Sequence, residues 1–87
     1  APGKVDGSAH IVGNGGVVFL FNPGKTALQG QFALTEESIG LKGNGNCRVA
    51  QEYPPSDRAV RVASGNTVRW EVPGQTPVIL RVELQPP

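Results

Sequence analysis

Residues 15–25 read GGVVFLFNPGK. Five large apolar residues, 17–21, run without interruption and stop at Asn22-Pro23-Gly24. An apolar run of this length bounded by turn residues reads as a strand. Pro23 presets φ for a turn and Gly24 accepts positive φ after it, so the strand ends there. Alternation puts Val17, Phe19 and Phe21 on one face and Val18 and Leu20 on the other. The first set is expected to enter the core, and Val18 and Leu20 are expected to point outward.

The same period of two continues on both sides of the run. It predicts strands at 7–12, 17–21, 28–35, 47–53, 58–63, 67–72 and 76–84. Asn-Gly pairs at 14–15 and 44–45 mark tight turns, and Ser64-Gly65-Asn66 and Pro73-Gly74 mark two more. Leu28, Phe32 and Leu34 share one face of the third strand, with Ala33 turned away. Val60 and Val62 face inward on the fifth, and Val68, Trp70 and Val72 on the sixth. On the last strand Val78, Leu80, Val82 and Leu84 face inward and Ile79 outward. Segment 36–41, EESIGL, reads as either loop or helical turn. Seven short strands joined by tight turns predict an all-β, antiparallel two-sheet sandwich, Greek-key or immunoglobulin-like. Residues 1–87 form one domain, with 85–87 as a tail that Pro86 and Pro87 keep out of any strand. If the second and last strands are neighbours, Val18, Leu20 and Ile79 make an outer apolar patch, and such a patch is a candidate docking face.

Composition narrows the function. Eight Lys and Arg oppose seven Asp and Glu, giving net charge +1, and the charges are scattered. Without a basic stripe, no nucleic-acid partner is expected. No stretch of 18 apolar residues exists, so no membrane partner is expected either. The lone Cys47 cannot form an internal disulfide, and with the lone His10 it offers no zinc cluster. Cys47 shares a face with Val49 and reads as a small buried apolar residue. The chain holds no Met, and we expect it to be a piece of a longer polypeptide.

No motif carries catalysis. Gly24-Lys25-Thr26 looks like the end of a phosphate-binding loop, but the position five residues before Gly24 is Phe19 and a strand follows in place of a helix. His10 has no nucleophile elbow to serve. Glu36 and Glu37 are neighbours in a turn and cannot face each other across a cleft as glycosidic hydrolysis requires. Trp70, between Val68 and Val72, is a core residue. Tyr53, at a strand end before Pro54-Pro55, is the single aromatic left as a weak candidate ligand contact. No cofactor and no catalytic residue are expected.

Two stretches, GSAHIVGNGGVVFLFNP at 7–23 and NTVRWEVPGQTPVILRVEL at 66–84, combine a strand, a glycine turn, an apolar strand ending in Asn-Pro, and a long closing strand. This pattern resembles the C-terminal antiparallel β-sandwich domains that follow the barrel in α-galactosidase-like glycoside hydrolases. The resemblance implies a noncatalytic accessory module whose partner is the catalytic domain of the same polypeptide. It further implies carbohydrate as a neighbouring ligand and a secreted or extracytoplasmic setting. The alternative is an independent immunoglobulin-like module that binds glycan or protein, through Tyr53 or the face of Thr67, Arg69 and Glu71.

Overall fold

The computed structural model describes residues 4–85. Seven strands and one short helix follow in the order β1 (Asp6–Val12), β2 (Gly15–Phe21), β3 (Leu28–Ala33), α1 (Glu36–Ile39), β4 (Asn46–Tyr53), β5 (Ala59–Ala63), β6 (Thr67–Val72) and β7 (Pro77–Leu84). They form a five-stranded sheet in the order β1-β2-β7-β4-β5 and a two-stranded sheet of β3 and β6, with every ladder antiparallel. The fold is the expected antiparallel two-sheet sandwich. The last strand lies in the centre of the large sheet, between β2 and β4. Immunoglobulin constant domains place their last strand in the opposite sheet. Pro86 and Pro87, read above as tail, lie outside the described residues; Gln85 still donates its backbone N–H to the Asn46 carbonyl at 2.8 Å.

The core fills the space between the sheets. From the large sheet come Val18, Leu20, Cys47, Val49, Val78, Leu80 and Val82, and from the small sheet Val68, Trp70 and Val72. Leu34, Ile39 and Leu41 close one end, and Ala9, Ile11, Phe32, Val62 and Leu84 pack at the margin. Helix α1 carries that end cap. Thr35 is its N-cap and accepts from the Ser38 N–H at 3.1 Å, while Gly40 ends it at φ 80. Ile39 is thereby buried.

The facing of β2 is the reverse of the expectation. Val18 and Leu20 are buried, at 2% and 5% exposure, whereas Phe19 and Phe21 stand on the outer face at 37% and 40%. An uninterrupted apolar run has no polar residue to set its phase, so the neighbouring strand sets it. Val18 pairs with Leu80 and Leu20 with Val78. On β7 the phase is unambiguous, because Val78, Leu80 and Val82 alternate with Arg81 and Glu83. Directly paired residues share a face, and a shift of one residue would turn every side chain over. Ala33 faces outward as expected, but on the two-stranded sheet and so apart from the β2–β7 surface. Two smaller expectations are also corrected. Val60 pairs with Val49 on the core side but stays 38% exposed, because edge strand β5 overhangs the small sheet. The first hairpin turns on Gly13-Asn14, with Val12 opposite Gly15 and Gly13 at φ 66, one residue earlier than the Asn-Gly pair suggests.

Asn22 keeps the inward phase of Val18 and Leu20 and is the one fully buried polar side chain among the described residues. Its Nδ2 donates to the Val72 carbonyl at 3.0 Å and to the Thr26 carbonyl at 2.7 Å. Its Oδ1 accepts from the Gly24 N–H at 2.9 Å, an Asx turn. Its backbone carbonyl accepts from Gln75 at 2.7 Å, across an isolated bridge to Gly74. One side chain thus ties the β2–β3 connection to the β6–β7 turn. That turn takes its positive φ at Gln75, and Gly74 serves a different need, since a Cβ there would run into the Lys25 carbonyl.

Trp70 is secured in the same manner. Its Nε1 donates to the Gln51 Oε1 at 2.8 Å, and Gln51 Nε2 donates to the Pro54 carbonyl at 2.9 Å. The Arg58 guanidinium lies 4.2 Å from the indole centroid. The loop between β4 and β5 is therefore held to the tryptophan directly through Arg58 and indirectly, by way of Gln51, through Pro54.

The facing of β2 is tested by two truncations. Leu20→Ala should cost about 2–5 kcal/mol, as removal of a buried leucine does. Phe19→Ala should cost less than about 1.5 kcal/mol, as a partly exposed site does. Urea unfolding of both variants checks the order, and the reverse order would overturn the phase. Asn22→Ala should cost about 2–4 kcal/mol, because it strands the buried Val72 carbonyl together with the Gly24 amide. The same unfolding curves read it out.

Candidate functional site

The outer face of the large sheet is built in rows by the strand register. The first row is Asp6, Phe21 and Pro77. The second is Ser8, Phe19, Ile79 and Tyr53, and the third His10, Val17, Arg81 and Ala50. The fourth is Gly15, Glu83, Arg48 and Arg61. The face therefore grades from apolar at one end to charged at the other. At the apolar end a shallow groove of about 170 Å³ runs between Ser8, Phe19, Phe21 and Pro77. His10 stands edge-on to Phe19, with ring centroids 5.5 Å apart and planes at 88°.

A bulge in β4 shapes the far side of this face. Gln51 pairs with Leu80 and Tyr53 with Ile79, so Glu52 is the extra residue. Gln51 faces inward to meet Trp70, while Glu52 and Tyr53 both emerge on the outer face. Tyr53 is 49% exposed beside Ile79. Glu52 takes Arg81 in a two-point contact, Nε to Oε2 at 2.9 Å and Nη2 to Oε1 at 3.2 Å. The hydrogen bond from Arg81, together with its charge, holds the Glu52 carboxyl below the usual carboxylate range despite partial desolvation.

Of the expected docking residues, Ile79 is where the sequence placed it, half-buried on the outer face. Val18 and Leu20 are not; their side chains are buried in the core. Phe19, Phe21, Pro77 and Val17 stand in their place. Tyr53 does not stand alone, as the sequence suggested, but next to this apolar row. Thr67, Arg69 and Glu71 are exposed on the outer face of the small sheet, opposite Ala33, Gln31 and Gln29, and this face is polar apart from Ala33. Phe19 was legible as an outward residue only through the pairing of β2 with β7, which no short-range pattern carries.

The chemistry available is limited. Among the described residues no three His, Cys, Asp or Glu side chains cluster to hold a metal ion. A depression of about 320 Å³ near Leu34, Thr35, Glu36 and Ser64 sits at the capped end away from the aromatic rows. Cys47 is buried, and desolvation pushes its thiol pKa up, so the unreactive thiol is favoured. No described helix is long and apolar enough to cross a membrane. Comparison with protein families, curated proteins and solved structures finds no match. The likeness to glycoside hydrolase accessory domains rests on the two stretches at 7–23 and 66–84 alone.

The Glu52–Arg81 contact gives a signed expectation. Glu52 should titrate below the ordinary glutamate range in the folded protein, and Arg81→Ala should return it to that range. Its folded pKa is the lower one, so the contact's stabilisation is present above the unfolded value and is lost as pH falls through the folded value. Side-chain carboxyl shifts followed by NMR across the acid range check both points.

Proposed function

We propose that this protein is a noncatalytic β-sandwich module that packs through the apolar end of its large sheet onto a catalytic domain of the same polypeptide. The observation that carries the reading is the row Phe19, Ile79 and Tyr53 with Phe21 and Pro77 beside it. Two phenylalanines and a tyrosine stand half-exposed on a face that turns charged towards Glu83, Arg48 and Arg61. Aromatic side chains hold the largest apolar area per residue, and contiguous exposure of several is the mark of a surface that another one covers. The likeness to accessory domains of α-galactosidase-like hydrolases supplies the class of catalytic domain, a carbohydrate-active barrel. In that reading the module braces the barrel and contributes no reacting group.

Two steps test it. An antibody to this domain should detect a natural polypeptide several times the 9.1 kDa of the chain, and a band at 9.1 kDa would overturn the reading. Within the longer polypeptide, the double variant Phe19→Lys, Ile79→Lys should leave the module folded but uncouple its thermal transition from that of the catalytic domain. It should also weaken docking by at least about tenfold, as the loss of central aromatic anchors does. Unchanged coupling in a folded double variant would show that this face is not the docking surface.

A further inference from the structure

The charged end of the molecule carries a separate feature. Strand β5 is the edge of the large sheet. Its hydrogen-bonding parity can be read from its two ends. The Gln51 N–H donates to the Arg58 carbonyl at 3.1 Å, and the Ser64 N–H donates to the Gly45 carbonyl at 2.7 Å. Both bonds fall in the same register as Cys47 opposite Val62 and Val49 opposite Val60. Hydrogen-bonded pairs alternate in an antiparallel ladder. The backbone groups of Val60 and Val62 therefore serve β4, and those of Ala59, Arg61 and Ala63 point out along the edge. The Ala63 carbonyl is taken by the Asn66 backbone at 3.2 Å. No described residue takes the N–H or C=O of Ala59 or Arg61 on that side.

The side chains at this edge are chosen in one sense. Arg61 stands directly opposite Arg48 on the outer face, with Ala59 and Ala63 flanking it. The ion pairs among the described residues are Lys42 with Glu36 and Arg81 with Glu52, so neither Arg48 nor Arg61 is in one, although Glu83 on β7 is the cross-strand neighbour of Arg48 on its other side; Arg61, at the edge, has no acidic residue opposite it. Like charges directly opposite one another on a ladder are unfavourable. The pair borders a shallow hollow of about 200 Å³ with Ala59 and Val60. On the inner side of the strand, Val60 is exposed and uncovered. An added strand would meet small methyls beside a cation on one face and an open apolar side chain on the other.

We propose that the β5 edge accepts an extended acidic peptide as an additional strand, with a carboxylate opposite Arg61 and an apolar residue opposite Val60. The main-chain groups of Ala59 and Arg61 supply the pairing, as in other cases where a peptide completes a sheet edge. The Arg48–Arg61 pair supplies the charge selection. The site lies at the opposite end of the sheet from Phe19 and Phe21 and uses none of the residues of the docking face.

The probe is the peptide acetyl-TVEVT-amide, whose glutamate and valines match these positions, with acetyl-TVKVT-amide as its control. Titration into the ¹⁵N-labelled protein should shift the Ala59 and Arg61 amides saturably and slow their hydrogen exchange. The lysine peptide should not do so. Arg61→Glu should weaken TVEVT binding by about fivefold or more while gaining affinity for TVKVT, as a cross-strand charge pair demands. Arg61→Glu alters an exposed side chain and replaces a like-charge pair with Arg48 by an opposite one, so an unchanged or raised urea midpoint would confirm that the fold is kept. Equal effects of both peptides would overturn the charge selection. Shifts confined to the arginine side chains, without protection of the two amides, would reduce the site to a simple anion contact and overturn strand addition. The absence of any shift at these residues, or shifts only around Phe19, would overturn the edge as the site.

Discussion

The pairing of Val18 with Leu80 is the constraint on which this sandwich turns. β7 carries its own phase, with Val78, Leu80 and Val82 inward and Arg81 and Glu83 outward. It lies at the centre of that sheet, where β2, whose apolar run has no phase of its own, takes its facing from it and β4 agrees with it. Through β2 it decides that Val18, Leu20 and Asn22 look inward, and on β4 Cys47, Val49 and Gln51 look inward in step with it. Burial of these side chains against Val68, Trp70 and Val72 is the main apolar term holding the two sheets together.

Two polar anchors then fix how the sheets meet. Asn22 crosses from the end of β2 to the Val72 carbonyl, and Gln51 crosses from β4 to the Trp70 indole. Each lies at an inward position where an apolar residue would be expected, and each has partners at both its amide nitrogen and its amide oxygen. No buried side-chain nitrogen or oxygen among the described residues lacks a partner. A two-stranded sheet lying on a five-stranded one could slide or rotate on apolar contact alone, because hydrophobic burial is not directional. Hydrogen bonds of defined geometry from both halves of the large sheet remove that freedom.

The same register divides the outer surface by chemistry. Because β2, β7 and β4 are aligned in rows, aromatic and aliphatic residues gather at one end and arginines at the other. This separation is not visible in the chain, where Phe19, Tyr53 and Ile79 lie far apart and charges are scattered. The bulge at Glu52 completes it, by placing Tyr53 beside Ile79 and pairing Glu52 with Arg81 instead of with Arg48 or Arg61. The candidate site was therefore only partly legible. Ile79 and Tyr53 could be found, since one is flanked by core residues of clear phase and the other ends its strand before two prolines. Phe19 and Phe21 could not, because a run of five apolar residues is compatible with either facing.

The sequence by itself determined the secondary structure and the class of fold. Alternation and turn residues are local properties, so seven strands and their approximate limits, the buried Trp70 and Cys47, and the inward set on β7 could all be read from spacing. Tertiary structure alone decided the strand order, the facing of β2, the roles of Asn22 and Gln51, and the sorting of the outer face. Each of these depends on which residue stands opposite which across a ladder, a relation between positions tens of residues apart. In an all-β chain that relation carries no short-range signature, and a shift of one residue in it exchanges the core for the surface.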